Sequence, residues 1–493
     1  MYSNCNICYV FFNRIENIFV IQSVNGREGF YHSRYVRRFR LESFHEPIEH
    51  WFVQKVNHFN VADGRVWNQR FYINDTYYKP GSPVFLMIGG EGALNPTWME
   101  HGTWLTYAKK LNALCIFLEH RFYGKSWPTQ DLSTANLHYL RSSQALADLA
   151  HFRNMMGVKM NLTLNKWIAF GGSYPGTLAA WFRLKYPHLV YGAVATSAPM
   201  RAVINFTEYL EVVSNALAAY SPQCPLLVKN ASDSLVKMLK KHSSIKKISK
   251  DFKLCERLKI RSYMDSSYFL EALAGNFMDV VQYNEDNRIF EDPKGTNITI
   301  QVLCDIMANS SLGVPYKRYA AIVQMMLQIY DEKCLDTSYS KFLQDMSNIT
   351  WTGLAADGNR QWEYQSCAEF GFFQSADSIL QPFSGFSRRY KLQQCVDIFG
   401  PKFNASAVAN AIQQTNECYG GLNIKSSRIV FPTGSMDPWH ILSITKNLSV
   451  DVPAIYIQGT AHCANMYPAR SEDLPQLTRA REEILQLLQN WLK

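Results

Sequence analysis

Short, nearly unbroken apolar runs recur through the first part of the chain: Val84–Ile88, Leu114–Glu119 and Trp167–Phe170. Runs this short and continuous predict strands buried on both faces. Arg65–Ile73 and Val190–Thr196 read as two further strands. Between them, apolar residues fall at helical spacing and predict helices near Trp98–Lys110, Ser142–Met156 and Thr177–Lys185. Strand–helix alternation from Trp51 to about Pro199 is the signature of an α/β fold. From Ala202 to about Tyr419 the strand patterns fade, and helical periodicity governs Tyr209–Ala219, Ser232–Lys241, Tyr268–Val280 and Arg318–Ile329. Strand patterns return at Ser427–Thr433 and Val452–Gln458, and Glu472–Leu492 closes the chain as an amphipathic helix. The expected organisation is a leader and linker over 1–46, an α/β unit in two parts (47–200 and 425–493), and a helical insertion over 201–424.

One junction between strand and helix carries candidate chemistry. The run Trp167–Phe170 leads through Gly171 and Gly172 to Ser173, and a helical stretch follows at once. A serine at such a corner projects its hydroxyl above the sheet, with the next backbone N–H aimed at whatever the oxygen attacks. Small neighbours are required where strand and helix approach closely, and Gly171, Gly172, Gly176, Ala179 and Ala180 supply them. The pattern is that of a nucleophile elbow in an α/β-hydrolase. It departs from G-x-S-x-G in having Pro175 at the last position, followed by Gly176. Proline fits a first helical turn, where its missing N–H would have had no partner.

In this fold the acid and then the histidine follow the serine. Among the later histidines, His188 ends the helix after the elbow, roughly 18 Å away. His242 lies in a basic, solvated stretch, and His440 sits in the turn Asp437–His440. His462, in Gly459–Cys463 just after a strand, is the remaining base. Asp437 lies in a loop one strand earlier, so both groups are expected at the same edge of a parallel sheet, where ligands collect in open α/β folds. Asp451 and Asp473 compete for the acid role, but neither stands at a strand end between a glycine turn and a proline. An oxyanion hole needs two donors. The backbone N–H of Tyr174 is one; Gly90 or Glu91, in the glycine-rich loop after Val84–Ile88, is the candidate for the other.

These residues bring out a resemblance. Ile88–Gly92, Glu119–Ser126, Ser143–Leu149, Gly171–Pro199, Asp279–Tyr283, Arg360–Gly371, Gly434–Leu442 and Gly459–Cys463 are similar to the serine carboxypeptidase family that groups lysosomal prolyl carboxypeptidase, dipeptidyl peptidase II and thymus-specific serine protease, nearest to the last branch. The resemblance covers roughly residues 50 to 493. It implies an α/β-hydrolase with an inserted helical cap domain, catalytic residues Ser173, Asp437 and His462, and peptide hydrolysis through an acyl-enzyme, exopeptidase-like on short peptides with a proline preference. It implies no cofactor or metal. An esterase or lipase of the same fold, and a non-catalytic peptide-binding member, stay open as alternatives. In the cap, Trp362, Tyr364 and Glu369 are candidates to line the entrance, with Glu369 meeting a free amine and Arg121 or Arg360 a carboxylate. Buried packing with internal ion pairs accounts for the same residues equally well.

Composition adds a compartment. The chain has 493 residues, 47% of them hydrophobic, and a net charge of 50 − 41 = +9. The basic clusters, Arg27 to Arg40 and Lys237 to Lys250, come without any nucleic-acid-binding module and read as solvated surface. Eleven cysteines and sequons at Asn74, Asn161, Asn205, Asn230, Asn297, Asn309, Asn348, Asn404 and Asn447 point to the secretory route, lysosomal/endosomal or extracellular. The resemblance implies the pairs Cys224–Cys304, Cys255–Cys334 and Cys367–Cys395. Cys463, beside His462, reads as an ordinary buried thiol. The N-terminus is an atypical signal: Ile7–Phe12 is short, and Asn13, Arg14 and Glu16 interrupt it. No stretch reaches the length of a membrane span. A peptide substrate is the expected partner, with a homodimer left open.

Overall fold

The computed structural model describes residues 47–493, apart from 260–261, 287 and 292–293, together with the strand Phe11–Phe12. The rest of the expected leader, 1–46, lies outside the described residues.

Eight strands form one sheet: β1 (His50–Lys55), β2 (Val66–Asn74), β3 (Val84–Ile88), β4 (Leu114–Leu118), β5 (Trp167–Gly172), β6 (Gly192–Thr196), β7 (Ile429–Gly434) and β8 (Ala454–Ile457). Their order across the sheet is β8-β7-β6-β5-β3-β4-β2-β1. β3 to β8 run parallel, while β1 and β2 add an antiparallel margin. β3 and β4 are buried along their whole length because helices cover both faces. Alternate residues serve the two sides. Leu86, Ile88 and Ala169 pack in the core that includes the helix Ser142–Lys159, and Phe85, Met87, Ile168 and Phe170 in the core that includes the helix Pro475–Leu492. This is the α/β-hydrolase sheet.

Two local expectations change. The helix expected over Trp98–Lys110 is a 3-10 turn, Pro96–Met99, followed by a helix at Thr103–Leu111. Gly102, at φ 98°, breaks it, a backbone angle that L-residues with side chains resist. β1 escapes the apolar-run pattern because it is an edge strand with Trp51, Val53 and Lys55 exposed.

Between β6 and β7 the described chain is mostly helical, with long helices at Glu208–Tyr220, Gln223–Leu239, Tyr263–Gln282, Pro315–Ile329 and Ala405–Tyr419. Disulfides Cys224–Cys304, Cys255–Cys334 and Cys367–Cys395 cross-link this region, the first two joining residues 80 and 79 positions apart. Closing loops of that length removes much conformational freedom from the unfolded chain. Among the described residues no helix is long and apolar enough to cross a membrane.

Candidate active site

Ser173 sits where β5 meets the helix Tyr174–Lys185, at φ 60° and ψ −134°. A serine holds so strained a backbone only when its surroundings over-determine it. Its N–H donates to Thr196 O of β6 at 2.9 Å. The corner is tight: a Cβ on Gly171 would lie 2.2 Å from Pro175 O. Pro175, the departure from the usual pattern, occupies the first helical turn and packs on the glycine-rich loop after β3. There a Cβ on Gly90 would meet Pro175 Cγ at 2.5 Å. Gly90 thus lies directly against the elbow. Glu91 is buried, with its carbonyl against Gly358 of the helical region.

The loops after β7 and β8 bring Asp437 and His462 together. His462 Nδ1 and Asp437 Oδ1 are 2.8 Å apart, both side chains essentially inaccessible to solvent. Asp437 also caps the turn Pro438–Leu442, with Oδ1 accepting from Trp439 N at 2.9 Å. Since a carboxylate only accepts, His462 Nδ1 carries the hydrogen and Nε2 is left as the basic nitrogen. That Nε2 is buried without a hydrogen-bond partner. Burial opposes charge on His462, but the Asp437 carboxylate prevails, with a contribution from Cys463, and holds the pKa well above the ordinary value. The histidine loop lies against the strand ends that carry Ser173. A Cβ on Gly172 would come within 2.9 Å of Cys463 Sγ, Cys463 N donates to Ser197 Oγ, and Asn465 Nδ2 donates to Thr196 Oγ1. Cys463 is buried and outside any disulfide. His440 is held in its own turn, Nδ1 to Asp437 O at 2.8 Å, and His188 and His242 are exposed.

One contributor was not singled out from sequence. Gln282 ends the helix Tyr263–Gln282, and its carbonyl accepts from His462 N at 2.9 Å. Its Oε1 accepts from Trp439 Nε1 at 2.9 Å and Tyr209 OH at 2.8 Å. The helical region therefore braces the histidine and acid loops together. Asp279–Tyr283 stood among the resembling stretches, which was the available signal.

The residues expected at an entrance are interior instead. Arg121 has no exposed side-chain surface; it pairs with Asp148 at 2.6 Å and donates to Val56 O and Tyr139 O. Arg360 donates to Leu132 O and Met346 O, and burial lowers its pKa to about 10. The buried Glu369 accepts from Ser142 N at 2.9 Å, and burial raises its pKa. Trp362 packs 5.5 Å from the Tyr174 ring, and Tyr364 packs 5.4 Å from Phe399. Buried and hydrogen-bonded within the interior, none of Arg121, Arg360 and Glu369 is placed to meet a peptide end. Of the sequon asparagines, Asn161, Asn230, Asn297, Asn309, Asn348, Asn404 and Asn447 are exposed, while Asn74 and Asn205 are half-buried.

Beside the elbow, burial lowers the pKa of His120 to about 4. An unfolded histidine titrates near ~6.5, so acid favours the unfolded chain. Stability due to this group is full above that pH, falls as pH drops from about 6.5 to about 4, and levels below; the loss is roughly 3 kcal/mol. Chemical denaturation across that range is expected to show the fall, and His120→Gln to flatten it. Arg121→Ala leaves the buried Asp148 carboxylate with His58 as its remaining side-chain partner, at 2.7 Å, with an expected destabilisation of about 3 kcal/mol. Assayed well below its unfolding temperature, this variant should keep the wild-type KM.

A family model, serine carboxypeptidase S28, matches residues 54–484. The thymus-specific serine protease of Mus musculus is 36% identical over 460 residues, covering 91% of this chain and 88% of that protein. The lysosomal Pro-X carboxypeptidase of Homo sapiens is 27% identical over 461 residues, covering 90% and 88%. An α/β-hydrolase sheet, an elbow serine and this likeness along nearly the whole length make the chain a serine-type peptidase, and it belongs to the serine carboxypeptidase S28 family.

Proposed function

We propose that Ser173 is the nucleophile, His462 the general base and acid, and Asp437 the group that orients His462, in peptide hydrolysis through an acyl-enzyme. The observation that carries this is the buried His462–Asp437 hydrogen bond, which leaves a partnerless Nε2 in the loop packed against the elbow. Ser173 Oγ attacks the carbonyl carbon while His462 Nε2 takes its proton. Collapse of the tetrahedral intermediate breaks the C–N bond, and His462 returns the proton to the leaving amine. Water then repeats the sequence on the ester and releases Ser173. The N–H of Tyr174 and that of Gly90 or Glu91 serve the oxyanion; Gly90 against Pro175 supports that second donor.

The helical stretch 201–424 acts as a cap over an α/β unit made of 47–200 and 425–493. The contacts of Gln282 with His462 and Trp439 support this division. Such a cap favours short peptides taken from an end over folded proteins. A proline preference rests on the name of the human lysosomal relative. Disulfides and exposed sequons support passage through the secretory route and glycosylation there.

Ser173→Ala is expected to lower kcat by roughly 10⁶-fold and to abolish fluorophosphonate labelling. A mixed peptide library, compared with this variant, reads the bond cut and any proline next to it. Ester turnover without any peptide turnover would overturn the peptide assignment. Activity requires neutral His462, so kcat/KM rises with pH on a limb set by its raised pKa. Asp437→Asn removes the charge that raises it: the limb moves to lower pH while the rate falls by roughly 10⁴-fold. A pH–rate profile of both proteins checks the two changes together.

A further inference from the structure

Beneath the elbow, buried side chains from distant parts of the sequence share one polar chain. The carbonyl of Arg121 can only accept, so His120 Nδ1, 2.7 Å away, carries the ring hydrogen. The other nitrogen of the neutral ring is then an acceptor, and the Tyr174 hydroxyl donates to His120 Nε2 at 3.1 Å. That hydroxyl oxygen accepts from Gln365 Nε2 at 3.1 Å, and Gln365 Oε1 accepts from the Tyr123 hydroxyl at 2.7 Å. Every donor and acceptor is fixed in one direction, from Tyr123 through Gln365, Tyr174 and His120 to the Arg121 carbonyl. His120, Tyr174 and Gln365 are 4%, 2% and 0% exposed, so water does not compete. The rings of Trp362 and Phe370 lie 5.5 and 5.4 Å from that of Tyr174 and complete the cage.

Tyr174 directly follows Ser173, and its backbone N–H points from the first turn of the helix. Such a donor accelerates reaction only if its direction is fixed before charge develops on the substrate. A phenol held through both its hydrogen and its lone pair fixes its ring, and the ring restrains the peptide unit that joins 173 to 174. We propose that Gln365, His120 and the Tyr174 hydroxyl are positioning residues that aim the N–H of Tyr174 at the tetrahedral oxyanion. Through Gln365 the helical region then sets the quality of a donor supplied by the α/β half. The proposal rests on Ser173 as the nucleophile. The charged groups facing His120 are Asp148, which favours its protonation, and Arg121, which opposes it; burial outweighs both and keeps the ring a neutral acceptor.

The test compares Tyr174→Phe, His120→Gln and His120→Leu in the full-length protein. It reads kcat and KM on a peptide substrate and the affinity for a peptidyl aldehyde, whose adduct with Ser173 mimics the tetrahedral oxyanion. Tyr174→Phe keeps the ring and main chain but loses the chain's central hydroxyl. Its kcat is expected to fall about 10- to 100-fold, with KM within about twofold and aldehyde affinity falling by the same factor as kcat. Glutamine at 120 can donate to the Arg121 carbonyl and accept from Tyr174, so His120→Gln should stay within about threefold of wild type in kcat, while His120→Leu falls with Tyr174→Phe. Wild-type kcat in Tyr174→Phe, or a His120→Gln no better than His120→Leu, overturns the proposal. If His120→Leu does not fold, the paired kcat and aldehyde losses in Tyr174→Phe decide, because uncoupled losses are also an overturning result. Fluorophosphonate labelling separates the two levels of the argument. An unlabelled wild type sinks Ser173 as nucleophile, whereas a labelled wild type beside a fully active Tyr174→Phe sinks only the positioning role.

Discussion

The backbone of a single residue governs how the rest of this molecule is built. Ser173 is held at positive φ by the hydrogen bond from its N–H to Thr196, and that geometry brings the first turn of a helix almost into the strand that precedes it. Gly171 must then lack a side chain because Pro175 O fills its place, and Gly90 must lack one because the Pro175 ring does. The strain of order 1–3 kcal/mol at such a residue persists only because packing on all sides offers no relaxed alternative. β3, β5 and β6, whose ends form this corner, sit in the middle of the sheet with helices on both faces.

The second organising feature is the treatment of buried charge and polarity. Arg70 pairs with Glu119, Arg121 with Asp148, and His462 with Asp437, each in a nearly dry setting. Charges removed from water survive only when their remaining hydrogen-bonding positions are also met. The structural pairs meet that condition: Arg121 uses its guanidinium on Asp148 and on backbone carbonyls. His462 does not, since its Nε2 has no partner. Among these three pairs, the unmet nitrogen of His462 sets it apart from the two arginine–carboxylate pairs more clearly than charge does.

Much of this architecture was legible because it is encoded locally. The apolar runs of β3 to β5 and the small residues flanking Ser173 are signals within a few positions of one another, and the sheet and its elbow follow from them. Asp437 and His462 stood out because each lies in a loop just after a buried run. Misreadings arose where the determining partner is remote. The stretch Arg360–Gly371 is rich in polar side chains and reads as an entrance, yet Gln365 is satisfied by Tyr123 across 242 positions and Glu369 by Ser142 across 227. Periodicity carries no trace of such pairs. The split near Gly102 is a smaller case, in which one glycine's conformation overrides a continuous helical pattern. The edge strand β1 was missed because its exposed apolar residues do not form a buried run.

The grip of Gln282 has a mechanical corollary. The end of one helix of the inserted region is tied through its own carbonyl to the amide of His462, and through its side chain to Trp439. A helical region fastened in that way cannot part from the sheet without breaking hydrogen bonds to the loops that hold His462 and Asp437. The alignment of His462 on Asp437 and the docking of the helical region on the sheet are therefore coupled, and loosening one loosens the other.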